Sequence, residues 1–204
     1  MAKKKIQSDS TTEEKIKTAA RKVFTKKGYS AARTRDIAEE AGINLALLNY
    51  YFRSKEKLFD IVMMENLQKF LLVLGGALRE EKSSLNEKVA LIANNYVDML
   101  KSNPDLPIFI LSEIRANPEK FVHNMGIKGL LLESSFFKQL HQATKGKIHP
   151  LHLLMNVMSM TVFPFIASPL LQHVGNLKQP DFDNLMEERK KMIPIWFDSI
   201  VKGL

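Results

Sequence analysis

The chain has 204 residues, 45% of them hydrophobic and 25% charged, which is the composition of a globular protein with one large or two small domains. It contains no cysteine, which excludes a disulfide framework, a thiolate metal site and a catalytic or redox-sensing thiol. The net charge of +8 is concentrated in the first 60 residues, which hold 14 Lys and Arg against 8 Asp and Glu; this asymmetry is typical of a nucleic-acid-binding protein, although a solvated lysine surface gives the same counts.

The chain begins with a polar stretch, residues 1–10, whose lysines are not followed by an apolar segment. This pattern predicts a disordered basic tail and not a signal peptide. The tail is either a solubilising segment or an arm that touches DNA phosphate or the minor groove. An amphipathic helix is expected next, because apolar residues recur at helical spacing from Ile16 to Phe24 with basic residues around them. Gly28 is expected to end this helix.

Residues 34–52 carry the most informative pattern in the chain. Apolar residues at helical spacing predict a short helix that ends at Gly42, a favourable C-cap. Asn44 is placed to cap a second helix, with Leu48 on its buried face. A helix, a glycine turn and a second capped helix form a helix-turn-helix, which places its second helix in a DNA major groove. Ser54 is expected to begin a further helix.

These first 60 residues resemble the N-terminal domain of the TetR (tetracycline-repressor) family of one-component transcriptional regulators. The resemblance is specific because many fixed spacings agree at once. It implies an all-α fold, in which a three-helix helix-turn-helix DNA-binding domain at 11–56 precedes a helical ligand-binding and dimerisation domain at 57–204. The matching residues are Ile16, Ala19, Ala20, Val23, Phe24, Gly28, Thr34, Ile37, Ala38, Ala41, Gly42, Tyr50, Tyr51, Phe52 and Ser54–Leu58.

Phosphate contacts are expected around the start of the first motif helix. The hydroxyl of Thr34 and the helix-terminal amides suit a phosphate oxygen, and Arg33 and Arg35 flank it. The resemblance implies a recognition helix over residues 44–50. It also implies phosphate contacts by Thr34, Tyr50, Tyr51 and Lys55, although core packing is an equal alternative for Tyr51.

The recognition helix, Asn44-Leu45-Ala46-Leu47-Leu48-Asn49-Tyr50, departs from the common family pattern, because it is unusually apolar and has Asn49 in place of an aromatic residue. Exposed Leu or Ala can pack on a thymine methyl, and Asn can bond bidentately to adenine. We therefore hypothesise that Leu45, Ala46 and Asn49 read A·T pairs. In the alternative, Leu47 is buried and Asn49 contacts phosphate or caps locally.

The remainder of the chain is expected to be helical, with little sign of strands. Helices are predicted over 55–79, 85–102, 105–116, 150–174 and 181–202, and one or two more over 119–144. The segment 150–174 is almost wholly apolar, with Pro164 and Pro169 expected to kink or divide it. A helix that is apolar on every side is buried on every side. We therefore expect it to pack against a second copy, in a homodimer on a palindromic operator; in the alternative, the chain is a monomer in which this helix is central. The predicted interface residues are Val157, Met160, Phe163, Phe165, Ile193, Trp196 and Ile200.

A pocket for an unidentified small apolar effector is expected in the helical domain, because methionine suits irregular apolar ligands; plain core packing gives the same Met-rich stripe. The predicted switch is a shift of helix 55–79 that changes the spacing of the two recognition helices. The ligand would favour the DNA-incompetent form. The predicted lining residues are Tyr96, Met99, Phe109, Phe121, Met125, Met155 and Met158.

The leading interpretation is a cytoplasmic, sequence-specific DNA-binding regulator. The resemblance implies a repressor that its effector releases from the operator, since repression is the common mode of the family, although the sequence does not exclude an activator. It is predicted to need no cofactor, and no membrane span is expected, since no apolar run reaches about 18 residues. An enzyme is disfavoured because the chain lacks a phosphate loop and a nucleophile elbow. No metal site is expected, although His149 and His152 could share a helix face. The rival function is a helical interaction or scaffold protein that binds DNA weakly and without sequence preference.

Overall fold

The computed structural model describes the backbone of residues 2–204 and the side chains from residue 11 onward. The predicted disordered tail, residues 1–10, lies outside the residues whose side chains are described. Across 2–204 the chain forms twelve helices and no strand, which confirms the predicted all-α class. The chain divides into two compact units: the first runs to Leu67 and includes Asn103–Phe109, and the second comprises Gln68–Ser102 and Ile110–Leu204.

Four helices from the N-terminal part of the chain lie in the first unit or begin in it. Apolar side chains from all of them meet in a small core, in which Ile16, Ile37 and Leu48 have no exposed surface. On α1, Lys17 and Arg21 hold the Glu65 carboxylate of α4 at 2.6 and 2.5 Å. Although partial burial opposes ionisation, these hydrogen bonds lower the pKa of Glu65. The helices are α1 (Ala2–Ala31, interrupted at Gly28), α2 (Thr34–Ala41), α3 (Leu45–Tyr51) and α4 (Lys55–Arg79).

The segment Asn103–Phe109 packs within the first unit although the residues on both sides belong to the second. The carboxylate of Asp105 accepts a hydrogen bond from the Tyr29 backbone N–H at 2.5 Å. The Phe109 ring meets the Phe59 ring edge-on at 5.8 Å, and Phe59 also packs on Tyr29 at 4.6 Å. A polar anchor and an aromatic cluster therefore fix this segment.

The second unit is built around α5, α10 and α12, whose apolar faces form one core. The predicted bounds of α4 and α5 agree with the structure. The sequence predicted one helix or two over 119–144, with a possible break around Gly126 and Gly129. The break at Gly126, which takes φ +61°, is confirmed, but the helix count is wrong: Ser134 caps a further helix by accepting the Phe137 N–H, so three short helices form. The helices are α5 (Leu85–Ser102), α6 (Leu106–Ala116), α7 (Pro118–Asn124), α8 (Ile127–Leu131), α9 (Ser135–Ala143), α10 (Leu151–Ile166), α11 (Ser168–Val174) and α12 (Gln179–Lys202).

Two helical segments satisfy the length and composition of a membrane span. These are α4, and α10 together with α11, which are bent by 69° at their break. The core helices of soluble proteins meet the same criteria, and α4 begins in the core of the first unit. Length and hydropathy alone therefore do not assign either segment to a bilayer.

The predicted division of segment 150–174 is confirmed, and the break falls at Ala167, before Pro169. Pro164 lies inside α10 without ending it. Proline has no N–H to donate to the carbonyl four residues earlier, which here belongs to Met160. Arg189 of α12 donates to that carbonyl from Nε at 3.1 Å and from Nη2 at 2.8 Å, so the carbonyl is satisfied across the α10–α12 packing.

Arg189→Met is expected to lower the free energy of unfolding by about 1 kcal/mol, because it leaves the Met160 carbonyl without a donor. The loss should shrink in a Pro164→Ala background, in which position 164 regains a backbone N–H. Urea unfolding of the single and double variants measures the coupling. Equal losses in both backgrounds would show that Arg189 acts through its packing on the Trp196 ring, 5.1 Å away.

A network of ion pairs joins α5 to α12. Glu187 accepts hydrogen bonds from Lys101 at 2.7 Å and pairs with Lys190 at 2.8 Å, and Lys190 also contacts Asp98 at 2.5 Å. The hydrogen bonds from Lys101 and then Lys190 hold the pKa of Glu187 at about 2, below its ordinary value of 4.5. The ionised carboxylate is therefore favoured by folding.

Glu187→Gln is expected to lower stability at pH 7 and to have a smaller effect as the pH falls. The native pKa lies below the unfolded one, so the contribution is complete above about pH 4.5 and is lost as the pH falls toward 2. Thermal unfolding at pH 7 and pH 3 measures the two differences. Glu188→Gln, at an exposed neighbour, is the control, and an equal Glu187 effect at both pH values would contradict the prediction.

Candidate DNA-binding surface and internal cavity

The turn between α2 and α3 is set by local hydrogen bonds. Gly42 has φ +65°, a left-handed conformation that costs least without a Cβ. Its N–H donates to the Glu39 carbonyl at 3.1 Å, and the Ile43 N–H reaches back to the Ala38 carbonyl at 3.0 Å. On the far side, Asn44 Oδ1 accepts the Leu47 N–H at 2.8 Å. These bonds end α2 and begin α3 within a few residues, so the predicted helix-turn-helix is present.

The start of α2 is fixed by Asp36, which accepts the backbone N–H of Arg33 at 3.0 Å and pairs with Lys27 at 2.9 Å. The hydrogen bond from Lys27, followed by that from the Arg33 N–H, lowers the pKa of Asp36. Arg33 and Arg35 are exposed, and Thr34 is half-buried. The two predicted phosphate-binding arginines thus face solvent around the first turn of α2.

One face of α3 is open to solvent. Leu48 is fully buried, whereas the Tyr50 side chain is 77% exposed and that of Leu47 is 36% exposed, so the alternative of a buried Leu47 does not hold. Ala46, Asn49 and Asn44 are exposed, and Leu45 is half-buried. Apart from the N-cap Asn44, whose Oδ1 accepts the Leu47 N–H, this face combines methyl groups with the carboxamide of Asn49 and the phenol of Tyr50. These are the groups that read thymine methyls, adenine edges and phosphates.

Two predicted DNA contacts have partners inside the protein. Tyr51 is half-buried, with its ring edge-on to that of Tyr50 at 5.4 Å. Lys55 Nζ donates to the carbonyls of Tyr29 and Ala32 at 2.9 and 3.0 Å and lies 4.2 Å from the centre of the Tyr29 ring. Lys55 therefore ties α4 to the end of α1, and these two bonds use two of the three donors of its ammonium.

Lys55→Ala is expected to weaken binding to every duplex, because it removes a cation and loosens the start of α4. If the third donor reaches a phosphate, the slope of log K against log salt concentration falls by about one unit. Lys57→Ala is the matched control. Lys57 is exposed and lies two residues later, so its substitution removes the same charge. Equal affinities and slopes for the two variants would show that Lys55 has no role beyond its charge.

The predicted effector residues lie in several places. Tyr96 and Met158 line an apolar cavity of 130 Å³ in the second unit, and the Tyr96 ring packs edge-on against Phe70 at 4.4 Å. Burial raises the pKa of Tyr96 to about 12, so its hydroxyl is protonated at neutral pH. Met125 lines a separate groove. Phe109 belongs to the first unit. Phe121 is buried, Met99 is half-buried and Met155 is 52% exposed.

The predicted interface residues divide by burial. Val157 and Ile193 have no exposed surface and lie in the core of the second unit, and Phe165 is 9% exposed. Phe163 is 59% exposed, and Met160, Trp196 and Ile200 are half-buried. Other large apolar residues of α10, α11 and α12, which the sequence did not single out for the interface, are also exposed. These are Leu151, Leu170, Val174, Leu185, Met192 and Ile195.

No group of three or more His, Asp or Glu side chains is placed to hold a metal among the described residues. His149 Nδ1 instead accepts the backbone N–H of Leu151 at 3.2 Å. This hydrogen bond joins residues two positions apart at the start of α10. The histidine pair that the sequence singled out therefore has a local contact at a helix start.

Comparison with known proteins agrees with this geometry. The model of "Bacterial regulatory proteins, tetR family" matches residues 16–62. The chain is 22% identical over 200 residues to the probable HTH-type transcriptional regulator YttP of Bacillus subtilis, covering 94% of this chain and 95% of that protein. Its fold is similar to a TetR transcription regulator from Haloarcula marismortui (TM-score 0.62, 16% identity, covering 93% and 98%). It is also similar to the regulator FadR of Bacillus subtilis, solved in complex with stearoyl-CoA (TM-score 0.52, 17% identity, covering 88% and 96%).

Proposed function

We propose that this chain, which belongs to the TetR family through its helix-turn-helix, is a sequence-specific DNA-binding transcriptional repressor that a small effector releases from its operator. The observation that carries the proposal is the exposed face of α3. Ala46, Asn49 and Tyr50 face solvent while Leu48 anchors the helix in the core. A small apolar and amide surface on a basic unit is suited to base edges in a major groove.

A homodimer is the form in which such a protein would read a palindrome. Large apolar side chains are exposed on α10, α11 and α12, and exposed apolar surface supports an interaction site when it forms a patch. In this proposal they meet their counterparts on a second copy, so that two recognition helices face two half-sites. The residues that support it are Leu151, Met155, Phe163, Leu170, Val174 and Ile195.

The effector would occupy the cavity that Tyr96 and Met158 line, since buried apolar space with one polar group is typical of small-molecule sites. Asn103–Phe109 offers a route for coupling: it follows α5 directly, and its contacts through Asp105 and Phe109 lie in the DNA-binding unit. An effector that shifts α5 would strain these contacts. If the effector binds the DNA-incompetent form more tightly than the DNA-competent form, its binding would lower the affinity for the operator.

Binding-site selection from random duplex DNA at near-physiological salt tests the proposal. A palindromic motif with A·T pairs at the positions facing α3 is the expected result. Salt-sensitive binding without enrichment of any sequence would favour the scaffold function instead. We assign the protein to the cytoplasm, where its operator would be, and propose no enzymatic activity and no cofactor.

A further inference from the structure

Two hollows in the second unit share a wall. The inner one is the apolar cavity of 130 Å³, and the outer one is a groove of 450 Å³ that Arg79 and His123 line. The side chains of Leu71 and Leu130 line both hollows. Leu130 is only 7% exposed, and together with Leu71 it forms the part of the wall that the groove and the cavity share.

Gly75 of α4 lies next to both the wall residue Leu130 and the guanidinium of Arg79. A Cβ placed on Gly75 would lie 2.9 Å from Leu130 Cδ1 and 3.8 Å from Arg79 Nη1. The first distance is shorter than ordinary van der Waals contact, so the absence of a side chain lets Leu130 close against α4. The guanidinium of Arg79, which lines the groove, therefore lies near the shared wall that Leu130 forms.

The groove lining carries a positive charge and no negative charge. It contains the cation Arg79, the imidazole of His123 and the carboxamides of Gln68 and Asn124, and it contains no carboxylate. Among the residues with described side chains, Arg79 makes no ion pair. A guanidinium is the cation best suited to a carboxylate, because its planar donors match the two oxygens.

We infer that the groove and the cavity form one site for an amphipathic monocarboxylate with an apolar body of about six to eight carbons. The inference rests on the proposed function, of which it names the effector class. The carboxylate lies on Arg79, and the tail passes between Leu71 and Leu130 into the cavity. An apolar cavity of about 150 Å³ accommodates a benzene-sized guest, so 130 Å³ fits a short tail and not an eighteen-carbon one.

Calorimetric titration of the full-length protein with octanoate, in the absence of DNA, tests the site directly. Octanamide has the same tail without the charge, and we expect it to bind at least tenfold more weakly. Arg79→Gln should remove this preference while leaving octanamide binding unchanged. Because Arg79 is exposed, the substitution does not disturb the core. Equal affinity of the unsubstituted protein for the two compounds, or tighter binding of stearoyl-CoA than of octanoate, would overturn the inference.

Gly75→Ala tests the wall. The added methyl forces Leu130 toward the cavity, and we expect octanoate and octanamide both to bind at least fivefold more weakly. Gly76→Ala is the matched control, because it makes the same change one residue later where no atom lies within 4 Å. If both variants bind octanoate normally, or if both bind it weakly, then Leu130 does not form the wall of the binding site as inferred.

A separate measurement of operator binding distinguishes failure of the effector class from failure of the proposed repressor function. If the protein binds its operator but not octanoate, the effector class is wrong and the proposed repressor function stands. If octanoate binds with the expected variant pattern but does not release the operator, the site stands and the effector-release part of the proposed function fails.

Discussion

Leu48→Ala is expected to destabilise the protein by about 2–5 kcal/mol and to abolish operator binding. Leu48 has no exposed surface and is the buried residue of α3. Truncating a buried leucine loses its transfer free energy and leaves a cavity. α3 has only seven residues, so its own hydrogen bonds cannot keep it folded without this anchor. Urea unfolding and titration of an operator duplex measure the two effects.

Leu47→Ala, one residue earlier on the same helix, is the control for this experiment. The Leu47 side chain is 36% exposed, so its loss should change the free energy of unfolding by about 0.5 kcal/mol or less, as surface substitutions usually do. Operator affinity should fall only if Leu47 packs on a thymine methyl. Similar destabilisation by the two variants would mean that α3 is not anchored as the structure shows.

Asn49→Ala is expected to weaken operator binding by about 1–3 kcal/mol, the discrimination that one bidentate base contact provides. Its effect on unrelated duplexes should be small, because the non-specific complex depends on phosphate contacts. Asn49 is exposed on the open face of α3, so the fold should be unaffected. Titration of the selected operator and of a shuffled duplex, at one salt concentration, gives the two affinities.

Tyr50→Phe is the comparison variant for Asn49→Ala, because it is expected to affect a phosphate contact and not a base contact. It keeps the ring that packs against Tyr51 and removes only the hydroxyl that is predicted to contact phosphate. Its loss should therefore be the same on the operator and on the shuffled duplex. A uniform loss for Asn49→Ala as well would place Asn49 among the phosphate contacts and would remove the argument for A·T pairs.

The fit between sequence and structure is closest where the determinants are local. Gly42 and Asn44 define the helix-turn-helix through hydrogen bonds to residues at most five positions away. Periodic apolar patterns likewise predicted the bounds of α4 and α5. Both signals act within the reach of a helical turn, so a single sequence is enough to read them. The all-α class and the resemblance to the TetR family follow from the same signals.

Other features depend on partners far away in the chain. Segment Asn103–Phe109 joins the DNA-binding unit because Asp105 accepts the N–H of a residue 76 positions earlier. Pro164 leaves the Met160 carbonyl without its helical donor, and the guanidinium of Arg189, 29 residues beyond Met160, donates to that carbonyl instead. No local pattern encodes either contact.

By itself, then, the sequence determined the helical class, the helix-turn-helix and its resemblance to the TetR family, because short-range capping and periodicity specify helices and turns. Only the tertiary structure decided which apolar residues fill the core and which stay exposed. Val157 and Phe163 share an apolar helix, yet the first is fully buried and the second is 59% exposed. The physical reason is that burial depends on which other helices pack against each face, and those helices lie far apart in the chain.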